Sequence, residues 1–430
     1  MDKKFSKIEL LAPAGNMEKM KTALVFGADA VYAGIPDFSL RVRINDFDLE
    51  KIKEATEYCH KIGKKIYITV NIFAHNRHLE KLPVYIKKLK KIKVDALIIS
   101  DPGVIEIVKE IWPEVEIHLS TQANCTNWQA AKFWQAQGVK RIILGRETTL
   151  PEIKMIHKKC PDLELEYFVH GAMCMAYSGR CFLSKYYADR SANLGDCVQP
   201  CRWKGDVRSE KLEVRNEKGD EFEIVEEEHG SYILNSKDLC LVKYLKELQE
   251  AGISSFKIEG RAKSVYYQAV VAGIYSRAIE LLGIKNKKNQ IVEMEYLQKE
   301  LETKLVHRGY TTGFLLGDKA DQNLDNSHEK SEWEFCGVVV SKKLEVRSKK
   351  FKARSEKVLI KVHNSIRVGD EIEIVKPKYD IIKLKVERLW DAKTGAEIAE
   401  AHGGQGALVW LELDEMVVEF SVIRRKISKL

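Results

Sequence analysis

Residues 65–100 read KIYITVNIFAHNRHLEKLPVYIKKLKKIKVDALIIS and contain two strand patterns on either side of a helical one. Lys65 to Val70 has the β-branched and aromatic composition of a strand, and Ala96 to Ile99 is a second short apolar strand. Between them, Leu79 to Ile92 repeats its apolar residues at helical spacing. The stretch therefore predicts one β-α-β unit, in which two parallel strands are joined by a helix.

The same alternation extends to about residue 285 and predicts eight strands, each followed by helical sequence. The predicted strands are Ile8–Ala12, Ala30–Ala33, Lys65–Val70, Ala96–Ile99, Glu116–Leu119, Arg141–Leu144, Glu164–Val169 and Ser255–Ile258. Eight such units favour a TIM-like (β/α)8 barrel over an open doubly wound sheet. No G-x-G-x-x-G motif flanks the first strand, which argues against a dinucleotide-binding domain.

Three regions follow from this pattern. We expect residues 1–285 to form the barrel, with a cysteine-rich insertion at about 170–237 that ends in a β-hairpin between Lys211 and Glu227. Residues 286–332 read as a helical or connecting segment. Residues 333–430 alternate short strands with turns and predict a small all-β, barrel-like domain.

Composition excludes several classes of protein. The chain has 430 residues, 45% of them hydrophobic, with a formal net charge of +8. These values exclude wholesale disorder and a collagen-like fibre, and they permit a polyanionic partner without requiring one. We find no signal-peptide pattern and no apolar run near the ~20 residues of a membrane helix, so the sequence predicts a cytoplasmic protein with no membrane association.

Four of the nine cysteines stand close together in the insertion. Cys174, Cys181, Cys197 and Cys201 follow the spacing C-x6-C-x15-C-x3-C in a polar, glycine-rich segment. Four thiolates can hold a zinc ion or an iron–sulfur cluster, and the wide first pair suits a larger cluster better than a single ion. Reduced buried cysteines or one disulfide are the alternatives, and Cys240 is either a spare ligand or a buried residue.

Polar residues follow the predicted barrel strands, where barrel enzymes place their active sites. Those singled out are Asn71, Arg146, His170, Glu259 and Arg261. No H-E-x-x-H motif is present, and Ser178 lacks the first glycine of a G-x-S-x-G elbow. A serine or cysteine nucleophile paired with His170 stays open, since such groups assemble in space.

Basic residues cluster in two places. The helix at Ile86 to Lys93 has a basic face of the kind that solvent usually covers. Between Ser341 and Lys357 eight lysines and arginines, including Lys349, Lys350, Lys352 and Arg354, oppose two glutamates. This hairpin is either a phosphate-backbone contact or a solvated tip, and Arg424, Arg425 and Lys426 would either extend the patch or lie in a frayed end.

Several motifs together resemble peptidase family U32, over essentially the whole chain. They include E-L-L-A-P-A-G-N, G-A-D-A-V-Y-A-G, H-L-S-T-Q-A-N, F-V-H-G-A-M-C-M-A-Y-S-G-R-C, F-K-I-E-G-R and H-R-G-Y-T-T-G-F. The combination of S-L-R-V-R, C-M-A-Y-S-G-R-C, C-x3-C-R-W and H-R-G-Y-T with a C-terminal β domain is most similar to a bacterial branch that hydroxylates tRNA. That branch makes 5-hydroxyuridine at the wobble position and depends on prephenate.

The resemblance implies a cofactor and a substrate set. It implies a 4Fe–4S cluster on Cys174, Cys181, Cys197 and Cys201, with Cys240 as an alternative ligand. Prephenate, a small dicarboxylate, would be clamped by arginines, for which Arg41, Arg146 and Arg261 are candidates. A base of the tRNA anticodon loop would be splayed out onto an aromatic ring such as Tyr177, Trp203 or Tyr310.

The remaining residue roles follow the same expectation. His170, Glu259 and Arg261 are the candidate catalytic residues, while Arg41, Asn71, Arg146, Tyr177 and Ser178 are the candidate substrate-binding residues. Lys349, Lys350, Lys352 and Arg354 would bind RNA. Two other functions stay open: a collagenase-like peptidase, as the family name records, and a non-catalytic subunit of a hetero-complex. Homo- or hetero-oligomers are both compatible with the sequence.

Overall fold

The computed structural model describes most of the chain. The described residues are 7–40, 46–174, 176–199, 201, 214–215, 221–222, 235–284, 286–317, 321–323, 328–346, 355–413 and 415–427. The predicted site residues Arg41, Lys349, Lys350, Lys352 and Arg354, and the predicted platform Trp203, lie outside these residues.

A closed parallel barrel forms the core of the N-terminal region. The strands up to residue 311 are β1 (Glu9–Pro13), β2 (Ala30–Gly34), β3 (Lys65–Val70), β4 (Ala96–Ile99), β5 (Glu116–Leu119), β6 (Arg141–Ile143), β7 (Glu164–Ala172), β8 (Val214–Arg215), β9 (Glu221–Phe222), β10 (Asp238–Cys240), β11 (Ile253–Ile258) and β12 (Tyr310–Thr311). The barrel order is β11-β1-β2-β3-β4-β5-β6-β7, and β11 also pairs with β7, which closes the ring. The predicted TIM-like barrel is confirmed.

Continuous apolar runs explain why these segments form barrel strands. All four residues of β4 are buried, as are five of the six in β3. A strand that is covered on both faces reads as an apolar run rather than an alternation. For this reason all eight barrel strands could be placed from the sequence.

Helices follow the barrel strands. They are α1 (Met17–Val25), α2 (Leu49–Lys61), α3 (Asn76–Leu79), α4 (Leu82–Ile92), α5 (Pro102–Ile111), α6 (Trp128–Ala136), α7 (Leu150–Lys159), α8 (Leu183–Ala188), α9 (Leu245–Glu250), α10 (Val265–Leu282) and α11 (Lys287–Lys304). Several begin at a side chain that accepts a hydrogen bond from the first turn, as Asp48 does from the Lys51 amide. No helix in the described part of the chain is both long and apolar enough to cross a membrane.

Two short strands extend the sheet in a way that the sequence pattern did not indicate. β10 runs antiparallel to β7, and β12 pairs with β10. Between β10 and β11 a 3-10 turn, Val242–Tyr244, leads into the short helix α9. The predicted hairpin of the insertion is present where it is described, since β8 and β9 pair antiparallel.

The C-terminal region is all-β, as predicted. Its strands are β13 (Trp333–Val346), β14 (Ser355–Val362), β15 (Ser365–Arg367), β16 (Glu371–Lys376), β17 (Asp380–Lys385), β18 (Leu389–Asp391), β19 (Glu397–Ile398), β20 (Glu400–His402), β21 (Leu408–Leu413) and β22 (Val422–Lys426). Eight of them form an antiparallel sheet in the order β17-β16-β22-β13-β14-β21-β18-β19, and β15 pairs with β20. The predicted basic hairpin is β13–β14, whose tip at 347–354 lies outside the described residues.

The two arginines of β22 are engaged in ion pairs within the fold, whereas Lys426 is exposed and pairs with Glu332. The Arg424 side chain is fully buried and bonded to Glu300 and Glu373 at 2.8 and 2.7 Å. Arg425 pairs with Glu334 and Asp370. Both alternatives in the sequence interpretation, an added phosphate contact or a frayed end, are therefore wrong for Arg424, because buried carboxylates neutralise it inside the fold.

The chain divides into two compact units. The first comprises residues 1–11, 32–261 and 306–330. It contains the barrel mouth and the part of the insertion from Cys174 to Cys201, which we call the cysteine segment. The second comprises residues 12–31, 262–305 and 331–430, and it contains α10, α11 and the C-terminal sheet.

Candidate active site at the barrel mouth

A cavity opens at the carboxyl ends of the barrel strands. It is open to solvent, and its volume is about 140 Å³. Its walls come from barrel residues, including Tyr32, Asn71, Arg146, Phe168, Lys257, Glu259 and Arg261, and from the cysteine segment, which contributes Cys174, Cys181, Cys197 and Cys201. The structure thus brings together residues that lie up to 229 positions apart along the chain, from Tyr32 to Arg261.

Arg146 presents a cation to the cavity with few fixed contacts. Its guanidinium carbon lies 3.8 Å from the centroid of the Phe168 ring, and its Nη2 lies 4.0 Å from a carboxylate oxygen of Glu259. Its Nε is buried and has no hydrogen-bond partner among the described residues. A guanidinium held by an aromatic face and one long ion pair retains donors for an anionic ligand.

Arg261 is more firmly anchored. Its Nη2 donates to the Leu40 carbonyl at 2.5 Å, and its Nη1 donates to Thr69 Oγ1 at 3.4 Å. Gly34 makes room for it, since a Cβ at that position would lie 2.7 Å from Nη1. The arginine is 6% exposed, so its charge is fixed at the edge of the cavity by the strands around it.

Asn71 ties the strand ends together. Its Nδ2 donates to Ser120 Oγ at 3.3 Å and to Gln122 Oε1 at 3.2 Å, while its Oδ1 accepts from the Leu40 amide at 3.3 Å. Its amide is therefore engaged on both sides. Asn71 therefore holds the strand ends at the mouth of the cavity in place.

A buried lysine forms part of the cavity, and sequence reasoning missed it. Lys257 is 3% exposed, and its Nζ donates to Glu166 Oε1 at 2.7 Å. The ammonium also faces the Tyr32 and Phe168 rings, at 4.4 and 5.4 Å from their centroids. Burial lowers the pKa of Lys257, although Glu166 opposes that effect. The available signal was a lysine inside the apolar strand S-S-F-K-I, where its charge needs a partner.

Arg141 forms a second set of ion pairs inside the barrel and shares Glu166 with Lys257. Arg141 bonds to Glu9 at 2.5 Å and to Glu166 at 3.2 Å. Tyr67 and Ser255 donate to the Glu9 carboxylate at 2.6 and 2.9 Å. Because every carboxylate in this network has a cation or a hydroxyl beside it, the barrel interior keeps its charges compensated.

The four cysteines of the insertion all line the cavity. Cys174 and Cys197 are exposed, and Cys181 and Cys201 are partly exposed; none forms a disulfide. The Gln199 amide, in a residue with φ of 59°, donates to Cys197 Sγ at 3.3 Å. By contrast, burial raises the pKa of the Cys59, Cys125 and Cys336 thiols to about 12. The accessible thiols are thus gathered at one place.

This donor set fits an iron–sulfur cluster by its chemistry. Clusters of this kind are held by cysteine thiolates, and here four thiols from one segment share a single cavity. Over the described ranges, no three His, Cys, Asp or Glu side chains stand together as a ready-made cage for a single metal ion. The four thiols are thus a donor set of the type that iron–sulfur clusters use.

Glu147 attaches the cysteine segment to the barrel. The Ser178 amide donates to Glu147 Oε1 at 2.5 Å, and the Ser178 hydroxyl lies 3.2 Å from Oε2 and 2.8 Å from Asn124 Oδ1. The φ of Ser178 is 49°, a left-handed conformation that a serine adopts only when its surroundings impose it. Gly171 lets the start of the insertion approach the barrel closely, because a Cβ there would lie 2.4 Å from the Glu259 carbonyl oxygen.

Several residues predicted for the site lie elsewhere. His170 is 1% exposed and faces the Tyr310 ring, and it is not among the described cavity residues. The reason is that β7 continues past it to Ala172, so that Ala172 and Met173 reach the cavity instead. Ser178 is turned toward Glu147, and Tyr177 is exposed outside the wall.

Cys240 is separated from the other insertion cysteines. It lies on β10, opposite His170 in the antiparallel register, and is 8% exposed. It is absent from the described cavity wall, which contains the other four thiols. The structure thus distinguishes the four clustered cysteines from Cys240, as spacing alone did not.

Two protein-family models match the sequence of this chain. The sequence model of peptidase family U32 matches residues 15–325, and that of the U32 C-terminal domain matches residues 331–424. The chain is 37% identical to "tRNA hydroxylation protein P" of Escherichia coli K12, covering 98% of this chain and 97% of that protein.

Two further relatives carry different names. "23S rRNA 5-hydroxycytidine C2501 synthase" of Escherichia coli K12 is 35% identical over 73% of this chain and 46% of its own length. "Collagenase" of Porphyromonas gingivalis W83 is 31% identical over 89% of both chains. The names of these relatives therefore cover RNA hydroxylation and proteolysis.

Proposed function

The chain belongs to peptidase family U32, and on that premise we propose that it is an RNA-modifying enzyme that hydroxylates tRNA. The specific reaction proposed is conversion of the wobble uridine to 5-hydroxyuridine, with prephenate as co-substrate and a 4Fe–4S cluster as cofactor. The observation that carries the proposal is the cavity in which four accessible thiols and two arginines meet, in a chain similar along its whole length to a tRNA hydroxylation protein.

The cysteine thiols would hold the cluster. Cys174, Cys181, Cys197 and Cys201 are the proposed ligands, and the Gln199 amide, which already donates to Cys197 Sγ, would stabilise a thiolate there. When bound, a cluster of this kind supplies one-electron redox chemistry that protein side chains lack. Glu147 would position the segment through Ser178.

The arginines would bind the small anion. Arg146 has an unengaged Nε and an aromatic support, so we assign it to a carboxylate of the co-substrate. Arg261 is held by Leu40 and Thr69 and would supply a fixed positive charge beside it. Glu259, 4.0 Å from Arg146, is the carboxylate that could hold or move a proton at this end of the cavity.

The RNA would approach from the open mouth. An anticodon loop offers unpaired bases, one of which can leave its stack and enter a pocket. Lys349, Lys350, Lys352 and Arg354, in the sequence between β13 and β14, are proposed contacts to its phosphates. The exposed Tyr177 ring is a candidate stacking surface beside the cysteine segment.

A strain that carries Cys181→Ser tests this function. Nucleoside mass spectrometry of its tRNA should lack 5-hydroxyuridine, whereas a strain carrying Cys160→Ala, a change at a buried cysteine outside the cavity, should retain it. Purified protein with prephenate and unmodified tRNA should restore the nucleoside without any second protein. Unchanged tRNA in the Cys181→Ser strain would refute the proposal, and a strict need for a second subunit would favour the non-catalytic role.

Peptide hydrolysis is the second candidate function, favoured by the name of the relative from Porphyromonas gingivalis. The Ser178 hydroxyl is bonded to Asn124 and Glu147, neither of which is the histidine base of a serine nucleophile. Purified protein stripped of metal should therefore fail to cleave gelatin or a collagen-like peptide. Cleavage that disappears in Ser178→Ala would establish the peptidase instead.

A further inference from the structure

The Lys257 amine is the nucleophilic group of the cavity that the proposed function leaves unused. It is nearly fully buried, yet it forms part of the wall of an open cavity. A lysine kept only for an ion pair would be equally stable inside the closed core. Because Lys257 is one of the residues that line the cavity, a small molecule bound there would lie against this side chain.

The surroundings of Lys257 suit nucleophilic chemistry. Tyr32 and Phe168 cover the nitrogen with aromatic faces, which excludes water from it. Glu166 Oε1, at 2.7 Å, is placed to accept its proton. The other charged groups that face it are Glu259 and, beyond Glu166, Arg141. Burial lowers the pKa of Lys257, as an amine that must be neutral to react requires.

Arg146 supplies the second half of the site. Its guanidinium and the Lys257 nitrogen both contact the Phe168 ring, at 3.8 and 5.4 Å from the centroid. Because both groups line the same cavity and lie beside the same ring, a ligand that carries a carboxylate next to a carbonyl group would match them, with the carboxylate for the guanidinium and the carbonyl carbon for the amine. That arrangement of groups defines a 2-oxo acid.

We propose that Lys257 forms an imine with the ketone of a 2-oxo acid whose carboxylate is bound by Arg146. The inference rests on the proposed function for its biological ligand, because prephenate carries a 2-oxo acid side chain. Glu166 takes one proton from the ammonium and Nζ bonds to the carbonyl carbon; the carbonyl oxygen then receives one proton from the amine and the one held by Glu166, and it leaves as water, so that a protonated imine remains beside the Glu166 carboxylate. The step is a condensation, so no oxidant or reductant takes part.

Pyruvate and borohydride test the site directly. Pyruvate is the smallest ketone of this class, and borohydride reduces an imine to a stable secondary amine. Peptide mapping by mass spectrometry should find one reduced pyruvate on Lys257 in the wild-type protein. Lys257→Arg, which keeps the charge beside Glu166, should lose the adduct, while Lys237→Arg, a change at a surface lysine paired with Asp321, should retain it.

The carboxylate contact has its own measurement. Arg146→Gln should raise the pyruvate concentration needed for half-maximal trapping by about tenfold or more, since a charge-assisted bond is lost. Acetone, which lacks the carboxylate, should not be trapped at Lys257. If Lys257→Arg does not fold, the wild-type peptide map still locates the adduct.

Two sets of results overturn the inference. One is an absence of adduct, or an adduct spread over surface lysines, in folded wild-type protein. The other is full tRNA hydroxylation by Lys257→Arg. Because trapping needs neither tRNA nor an iron–sulfur cluster, protein that traps pyruvate on Lys257 but never hydroxylates tRNA would refute the proposed function and leave the lysine site intact.

Discussion

The carboxylate of Glu147 accepts the Ser178 backbone amide at 2.5 Å and lies 3.2 Å from its hydroxyl, so one side chain at a strand end fixes the middle of the cysteine segment. Ser178 stands between Cys174 and Cys181 in the chain. Together with the bond from Ser178 to Asn124 and those from Arg180 to the Gln122 carbonyl, this contact attaches the stretch between two of the four thiols to the barrel.

Glu147→Gln should loosen this segment without unfolding the barrel. The substitution exchanges a charged carboxylate with two acceptor oxygens for a neutral amide with one. A hydrogen bond to a charged group contributes about 1.5–3 kcal/mol to stability, and this contribution is weakened. We expect trypsin to cleave after Arg180 and Lys185 about tenfold faster, because cleavage follows the population of the opened segment. Glu106→Gln, which removes a surface pair with Lys109, is the control and should leave the cleavage rate unchanged.

Iron and acid-labile sulfide should separate the clustered cysteines from Cys240. Protein purified without oxygen should contain about four of each per chain if the cluster is a cubane. Cys181→Ser should lose most of both, since its thiol lines the cavity, whereas Cys240→Ser should retain them. Loss in Cys240→Ser with retention in Cys181→Ser would move the site to β10, and zinc in place of iron would remove the redox cofactor.

Acid should weaken the barrel through Glu9. Burial by itself would raise the pKa of this carboxyl, but Arg141 and the hydrogen bonds from Tyr67 and Ser255 outweigh burial, so the pKa is lowered from 4.5. A lowered pKa means that the contribution to stability is complete above the unfolded value and is lost as the pH falls through the folded value. The melting temperature of the wild type should therefore fall more steeply than that of Glu9→Gln between about pH 5 and pH 3. Parallel curves for the two proteins would contradict this assignment.

Removal of Arg424 should strongly destabilise the second compact unit, which contains the C-terminal sheet. Its guanidinium is fully buried and pairs with both Glu300 and Glu373, so Arg424→Met removes the cation beside Glu300 and leaves Glu373 with its longer pairs to Lys304 and Lys383. Breaking a buried pair in this way costs about 3–5 kcal/mol. Lys383→Gln removes an exposed partner of the same Glu373 and should cost under about 1 kcal/mol. Urea midpoints followed by tryptophan fluorescence compare the two, and equal shifts would show that burial does not matter here.

The basic hairpin should control the salt dependence of tRNA binding. Each phosphate contact contributes about 0.7–0.9 to the slope of log K against log salt. Changing Lys349, Lys350, Lys352 and Arg354 to glutamine should reduce that slope by about 3. The matched control changes four lysines on or next to α4, Lys81, Lys87, Lys88 and Lys91, and should leave the slope unaltered. An unaltered slope in the hairpin variant would identify the tip as merely solvated.

The barrel could be predicted from the sequence because its strands are buried on both faces. A short apolar run such as Ala96–Ile99 is typical of a parallel strand that is covered on both faces. Eight such runs separated by helices are compatible with few topologies. The strand ends then locate the mouth, which is how Arg146, Glu259 and Arg261 could be named in advance. The short strands β10 and β12 could not be found, because two or three residues carry no periodicity.

The chain's residues alone determined which chemistry is available: four thiols in one segment, arginines after strands, and the motifs of a family. Only the tertiary structure decided which of them share a cavity. It placed Cys174, Cys181, Cys197 and Cys201 on one wall and Cys240 apart, turned His170 toward Tyr310, and revealed Lys257 beside Glu166. Proximity across 91 residues, as between Glu166 and Lys257, depends on strand register, and register is set by the packing of the whole barrel.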